Sequence, residues 1–335
     1  MKALITADLH LDDLPRNEYR WKFFPYIKDL LKQYDYKYDL IVVGDLTDRK
    51  DKHSAKLVNR IIDELYEISQ LTKIHLVSGN HDYIDPICPF MRFLSYIPNI
   101  EFIIQPTILT DVMVIPHTTN FLELWQSLTI PKTVKTILIH QTIKGSVVSE
   151  HYVIEEGLPL QTFDVIGNRQ VLSGDIHIPQ KLNDRFMYIG APYPVNFGDN
   201  YNGRVLCLSG SDLGEVFYPC GKRSYVDIIS PGNLALIDLK QGDQIKVRLK
   251  LSKAETYLWK SYVAEIKQIC QERGVDLFGI ELKKDKVQAM TETGVLKPEM
   301  SYGELIAKVA KKEKLSQLHI DIATSLIEEV NESTS

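Results

Sequence analysis

Five short apolar runs in the first 180 residues each end in acidic, imidazole or amide side chains, and no other feature limits the fold as strongly. Leu4-Ile5-Thr6 leads into Asp8-Leu9-His10, and Asp39-Leu40-Ile41-Val42-Val43 leads into Gly44-Asp45-Leu46-Thr47-Asp48. Lys73-Ile74-His75-Leu76-Val77 precedes Gly79-Asn80-His81-Asp82, residues 136–139 precede His140, and Val171-Leu172 precedes Gly174-Asp175-Ile176-His177. Helical patterns over 23–33 and 54–70, the second with Ser54 placed to cap it, separate the first three runs. Strands that alternate with amphipathic helices and are apolar at nearly every position are those of a buried, largely parallel sheet. Ligands bind beyond the carboxyl ends of such strands, so the five clusters can meet at one edge. Glycines before Asp45, Asn80 and Asp175 suit tight exits from a strand.

Further strands are expected over 112–115, 163–166, 186–189 and 203–209, spaced closely enough for hairpins and a second sheet packed on the first. After Pro219 the character changes. Strands over 225–229 and 243–251, a helix over 254–273 and a strand over 278–282 make a β–β–α–β unit, and helical patterns follow over 301–312 and 316–330. The expected division is a core over 1–215, a small domain over 216–300 and a helical tail over 301–335.

Three carboxylates (Asp8, Asp45, Asp175), three imidazoles (His10, His140, His177) and the Asn80 amide, with no thiolate, suit Mn, Fe, Zn or Mg. These donors exceed what one ion needs. They suit two ions roughly 3.5–4 Å apart with a bridging carboxylate, which clamp the attacking and leaving oxygens of a phosphate ester and acidify a water. Each cluster alone also fits a plainer role: Asp-x-His a capped turn, Asn-His-Asp a polar loop, His140 a hydrogen-bonded core histidine. Their shared order and placement point to a metal centre.

The 335-residue chain is 44% apolar and 25% charged, a globular composition, and its net charge of −5 gives no general sign of nucleic-acid binding. No apolar run reaches the ~20 residues that span a bilayer. The start, Met1 to Asp8, meets acid too early for a signal peptide, so a soluble cytoplasmic protein with no membrane partner is expected. Cys88, Cys207, Cys220 and Cys270 lie far apart, which argues against a disulfide framework or a thiolate zinc site.

Together, Asp8-x-His10, Gly44-Asp45-x-x-Asp48, Gly79-Asn80-His81-Asp82, His140 and Gly174-x-x-His177 resemble the ordered motifs of the calcineurin-like metallophosphoesterases over roughly residues 1–200. Within that superfamily the chain is most similar to the SbcD-type DNA repair and recombination nuclease subunits of bacteria and phage. The segment Tyr188-Ile189-Gly190-Ala191-Pro192-Tyr193-Pro194-Val195-Asn196-Phe197-Gly198-Asp199 resembles their Gly-Ser/Ala-Pro stretch and Phe-Gly-Glu/Asp element. The resemblance implies a four-layer α/β/β/α core, two packed sheets flanked by helices, with a small C-terminal α+β cap and a helical tail. It also implies a coiled-coil ABC-type ATPase partner of the SbcC kind, DNA as substrate and a homodimer.

Carried over residue by residue, the resemblance gives Asp8, His10 and His177 to one divalent ion and Asn80, His140 and Asp175 to a second, with Asp45 bridging and Mn, then Mg, as the metal. His81 becomes the catalytic group that stabilises developing charge or protonates the leaving 3′-oxygen, with Asp82 as its orienting partner. One departure stands out. The family has Gly-His-x-His where this chain has Asp175, which hardens the second site if Asp175 ligates and weakens it if it does not.

Asp48 fits either a hydrogen bond to a ligand histidine or a helix N-cap. Lys246, Arg248 and Lys250 share one strand face, either solvated or set against DNA phosphates. Tyr193 and Phe197 fit base stacking or packing, the 49–53 loop fits a phosphate contact or plain solvation, and His75, His117 and His151 read as structural. Leu318, Ile322, Leu326 and Val330 recur every four residues, an apolar face that must bury against its own chain or the ATPase. The expected activity is two-metal hydrolysis of DNA phosphodiesters by the nuclease subunit of an end-processing complex. A phosphomonoesterase or cyclic-nucleotide phosphodiesterase of the same superfamily, which the acidic charge favours, and a catalytically silent binding module are the alternatives.

Overall fold

A computed structural model describes residues 1–149, 152–199 and 201–283. Strands β1 (Lys2–Thr6), β2 (Asp39–Val43), β3 (Ile74–Val77) and β4 (Ile100–Ile103) run parallel, and helices α1 (Phe23–Gln33) and α2 (Ala55–Ser69) connect the first three. Next come β5 (Thr107–Leu109), β6 (Val112–Ile115), α3 (Phe121–Ser127) and β7 (Thr136–His140), then an antiparallel pair, β8 (Val147–Ser149) and β9 (Tyr152–Val153). After β10 (Gln170–Gly174), β11 (Gln180–Lys181) and β12 (Phe186–Tyr188), strands β13 (Arg204–Ser209) and β14 (Asp212–Phe217) return to the first sheet. Strands β15 (Arg223–Ile228), β16 (Gln244–Leu249) and β17 (Asp276–Leu282), with helices α4 (Pro231–Ala235) and α5 (Trp259–Arg273), close the described chain.

The first sheet has the order β14-β13-β1-β2-β3-β4, the second β11-β12-β10-β7-β6-β5, and the third β15-β16-β17. Alternate residues of each strand serve different cores. Leu4, Leu40 and Leu76 pack on Phe23, Ile27, Leu31, Leu57, Ile61 and Leu65 of α1 and α2. Their neighbours Ala3, Ile5, Ile41 and Val43 meet Val112, Val114, Leu138 and Leu172 between the two sheets. On the far side Met113, Ile115, Ile137 and Ile139 meet Phe121, Trp125 and Phe163. Both faces of the central strands are buried, which is why the runs are apolar throughout, and each buried large side chain contributes about 1.5–3 kcal/mol. The result is the expected α/β/β/α core.

Local signals explain the helices. Leu57, Ile61, Leu65 and Ile68 form the buried stripe of α2, and Ser54 Oγ accepts the Leu57 N–H at 3.0 Å to cap it. The expected strand over 163–166 is instead a 3-10 helix, Leu160–Ile166. Phe163 and Ile166 are both buried there, so the short apolar run has period three, and Pro159 precedes its first turn. Edge strand β14 is mostly exposed and carries no apolar signal.

One compact unit takes in Met1–Leu249 and Tyr257–Glu281, the third sheet up to Glu281 included; the other described residues, 250–256 and 282–283, fall in a second. His151 and the tail patterns over 301–312 and 316–330 lie outside the described residues. No helix among the described residues is long and apolar enough to cross a membrane.

Candidate metal centre

All five clusters meet at the carboxyl edge of the two packed sheets. Asp8, His10, Asp45 and Asp175 take positive φ values of 55°, 44°, 53° and 85°. Such conformations cost of order 1–3 kcal/mol each for residues with a Cβ, and surrounding bonds must hold them. Here the Asp8 N–H donates to the Gly44 carbonyl at 3.1 Å and the His10 N–H to the Asp45 carbonyl at 2.9 Å. Gly44 and Gly174 make the room: a Cβ at either would run into the His140 ring.

Asp45 is the hub. Its Oδ1 accepts the His81 N–H at 2.8 Å and lies 3.4 Å from His140 Nε2, while Oδ2 lies 3.6 Å from His10 Nε2. His10 Nε2 and His177 Nε2 face each other at 2.9 Å. On the other side Asp8, Asp45 and His140 form a buried group whose ligand atoms lie within 4.8 Å of one another; His10, Asp45 and His81 form a second. His140 Nδ1–H donates to the Val43 carbonyl at 2.9 Å, which turns Nε2 inward. The Asn80 amide stands 2.9 Å from that nitrogen. Turned the other way, its NH₂ reaches both Asp45 oxygens at 3.1 and 3.2 Å, so the amide can meet a carboxylate or a cation.

The electrostatics suit cations. Burial pushes the Asp8 carboxyl well above its ordinary range, and Asp8 Oδ2 has no hydrogen-bond partner. Burial lowers His10 and takes His177 to about 4, so both rings are neutral donors at pH 7. Burial also acts to raise Asp45, but the charge and hydrogen bond of His140 outweigh it and hold the carboxyl below its usual value. A buried carboxylate oxygen without a donor, as Asp8 Oδ2 is, is costly unless a cation sits against it, and the oxygen and imidazole groups around it fit divalent ions.

Asp175 stands where a histidine was expected. Its N–H donates to Asp8 Oδ1 at 3.0 Å, and its Oδ2 accepts the Thr142 hydroxyl at 2.5 Å. Its Oδ1 is left 3.9 Å from His140 Nε2, facing the cluster. Asp175→His is expected to keep hydrolysis while moving metal preference from magnesium and manganese towards zinc, read by titrating each metal against activity and binding. Wild-type metal preference in both Asp175→His and Asp175→Ala would remove Asp175 from the site.

Asp82 does not do what its place beside His81 implied. Its carboxylate accepts three backbone N–H groups, from Gly79 at 2.7 Å, Asp45 at 2.9 Å and Leu46 at 3.0 Å. It ties two loops together, and the His81 ring is held instead by the Asp48 carbonyl, which accepts Nδ1–H at 2.8 Å. Asp82→Ala strands three buried donors at roughly 1–3 kcal/mol each. It is expected to lower the melting midpoint by about 6 °C or more; an unchanged midpoint would contradict this role. The Asp48 carboxylate lies 3.7 Å from His10 Nδ1, and the cap of α2 is Ser54, not Asp48.

Tyr193 is fully buried and donates to the Leu9 carbonyl at 2.6 Å, so it belongs to the core. Lys246 and Arg248 sit on β16, but Lys250 lies past its end and outside the first unit, so the three do not share one strand face. Sequence reasoning missed Arg20, which is 4% exposed and donates to the His10 carbonyl, and Thr142. Beside the centre opens a cleft of about 730 Å³, in which Arg16, Arg20, Arg49, Arg223 and Lys246 face Asp12 and Asp48.

Two donor groups sharing one carboxylate at the edge of a four-layer α/β sandwich define a metal-dependent phosphoester hydrolase. The chain matches the calcineurin-like phosphoesterase family over residues 1–179, more than half its length, and belongs to that family. No curated protein matches it. Among solved structures, the nuclease MPE of Pseudomonas putida is similar at 15% identity and a TM-score of 0.32, covering 64% of this chain and 87% of that one.

Proposed function

We propose that this protein hydrolyses DNA phosphodiesters with two divalent cations, manganese first, as its resemblance to SbcD-type nuclease subunits implies. The observation that carries the reading is the cleft beside the metal centre: five cations face two carboxylates there, the reverse of the overall net charge of −5. A polyanion meets a local field that the whole-chain charge conceals.

When bound, the two cations neutralise the nonbridging oxygens of the phosphate and lower the pKa of a water. The chain's own residues do the rest. Asp8, His10, Asp45, Asn80, His140, Asp175 and His177 would hold the ions, with the glycine-cleared backbone giving the His140 ring its place. His81 is oriented by the Asp48 carbonyl, which accepts the Nδ1 proton; as the imidazolium, the form in which both ring nitrogens donate, its Nε2–H can pass to the leaving oxygen or meet developing charge. Arg20 fixes the His10 carbonyl and stands 3.9 Å from the Asp48 carboxylate, tying the first and second clusters together.

The test is a manganese-dependent comparison of linear duplex DNA, single strands, an aryl phosphodiester and an aryl phosphomonoester. Hydrolysis of polynucleotide supports the reading, and turnover of the monoester alone overturns it. We further propose that the tail binds a coiled-coil ABC-type ATPase. Truncation after Lys314 is then expected to abolish association with that ATPase while leaving aryl-ester hydrolysis intact; a truncated chain that aggregates would assign the apolar pattern over 316–330 to the protein's own core.

A further inference from the structure

Cations and aromatic rings interleave along one wall of the cleft and continue past its lining to Arg248. The Arg223 guanidinium lies over Phe278 at 5.4 Å and over Phe197 at 4.5 Å. The Lys246 ammonium lies over Phe197 at 4.7 Å and Tyr225 at 5.8 Å, and the Arg248 guanidinium lies over Tyr225 at 3.6 Å. The result is a continuous row: Phe278, Arg223, Phe197, Lys246, Tyr225, Arg248. Its origin is the sheet: Arg223 and Tyr225 on β15 alternate past Lys246 and Arg248 on β16, which pairs parallel with Tyr225 opposite Lys246. Phe197 comes from the loop that follows β12.

The row is anchored at both the core and the metal centre. Arg223 is 6% exposed, donates to the Val195 carbonyl and, at 3.1 Å, to the Tyr19 hydroxyl, and its Nε has no partner. Asn196, adjacent to Phe197, lies 3.5 Å from His177 Nδ1. Tyr225, 37% exposed, stands towards solvent. Side chains already held against one another lose little freedom on binding, so the row is prepared for a ligand rather than ordered by it.

We infer that this row is a track for an unpaired DNA strand, with Lys246 and Arg248 taking the phosphates, the rings the bases and buried Arg223 holding Phe197 in place; the inference rests on the nuclease reading above. A duplex offers phosphates but keeps its base faces stacked inside, so cations alone would serve it. Rings between cations are useful only where bases are exposed. Size agrees. At about 730 Å³ the cleft is in the range of small-molecule sites, room for a nucleotide or two in single file.

The experiment measures anisotropy of a fluorescein-labelled oligothymidine of about twelve nucleotides and of a blunt duplex of equal length, with chelator present so that no hydrolysis intervenes. The wild-type protein is expected to bind the single strand at least tenfold more tightly. Tyr225→Ala and Lys246→Ala are each expected to weaken strand binding about tenfold, and Lys246→Ala to flatten its salt dependence by roughly 0.7 in log–log slope. Tyr225→Leu and Lys246→Gln keep the strand packing and are expected to show the same losses if folding is not the cause. Equal or tighter duplex binding, or wild-type strand affinity in these variants, overturns the track. Hydrolysis is then read separately in manganese. Strand binding with no cleavage of any polynucleotide supports the track and overturns the nuclease reading, whereas cleavage without single-strand preference does the reverse.

Discussion

Asp45→Asn lowers kcat/KM for every phosphodiester by roughly 10³-fold or more and reduces bound manganese below two ions per chain. The substitution is nearly isosteric, and the asparagine oxygen can still accept the His81 N–H that Asp45 Oδ1 accepts at 2.8 Å. What it removes is the charge shared by both donor groups, Asp8 with His140 and His10 with His81. Loss of a charge common to two sites weakens both, whereas loss of a ligand to one site leaves the other filled. Elemental analysis after manganese loading, alongside steady-state kinetics, reads the two effects separately. Full metal content with full activity in this variant would show that Asp45 bridges nothing.

His81→Ala is expected to lower kcat by roughly 10²–10⁴-fold while metal content stays near that of the wild type. Its Nδ1 is committed to the Asp48 carbonyl, so a single nitrogen remains for chemistry. His81 also falls in the group of His10 and Asp45, whose ligand atoms lie within 4.8 Å of one another, so ligation is the competing role. Loss of one metal equivalent on His81→Ala would establish that competing role. The expected split, slow turnover with metals retained, belongs to a group that acts on the leaving oxygen.

The core and the donor set were legible because both follow local rules. Runs such as Leu4-Ile5-Thr6 are buried on both faces, so their composition alone marks central strands, and short polar side chains at their ends have one edge to occupy. What stayed hidden depends on contacts distant in sequence. Arg20 sits between Tyr19 and Trp21 with no motif, and its role appears only where the chain folds it under the His10 carbonyl. Thr142 matters because Asp175 lies 33 residues on and meets it at 2.5 Å. The role of Asp82 was misread because adjacency to His81 in sequence is not adjacency of side chains: its carboxylate turns to three backbone amides. The run over 163–166 was misread for a different reason, since four apolar-rich residues cannot separate period two from period three. The cleft's cations come from segments as far apart as Arg16 and Lys246, so their sum was invisible beneath an overall charge of −5.

The most direct measurement is anomalous diffraction at the manganese edge from crystals of this chain grown with manganese. Two peaks roughly 3.5–4 Å apart are expected, both within bonding distance of the Asp45 carboxylate. One is expected to contact Nε2 of His10 and of His177, and the other Nε2 of His140 and the Asn80 amide oxygen. A single peak, or peaks that do not flank Asp45, would contradict the two-cation centre.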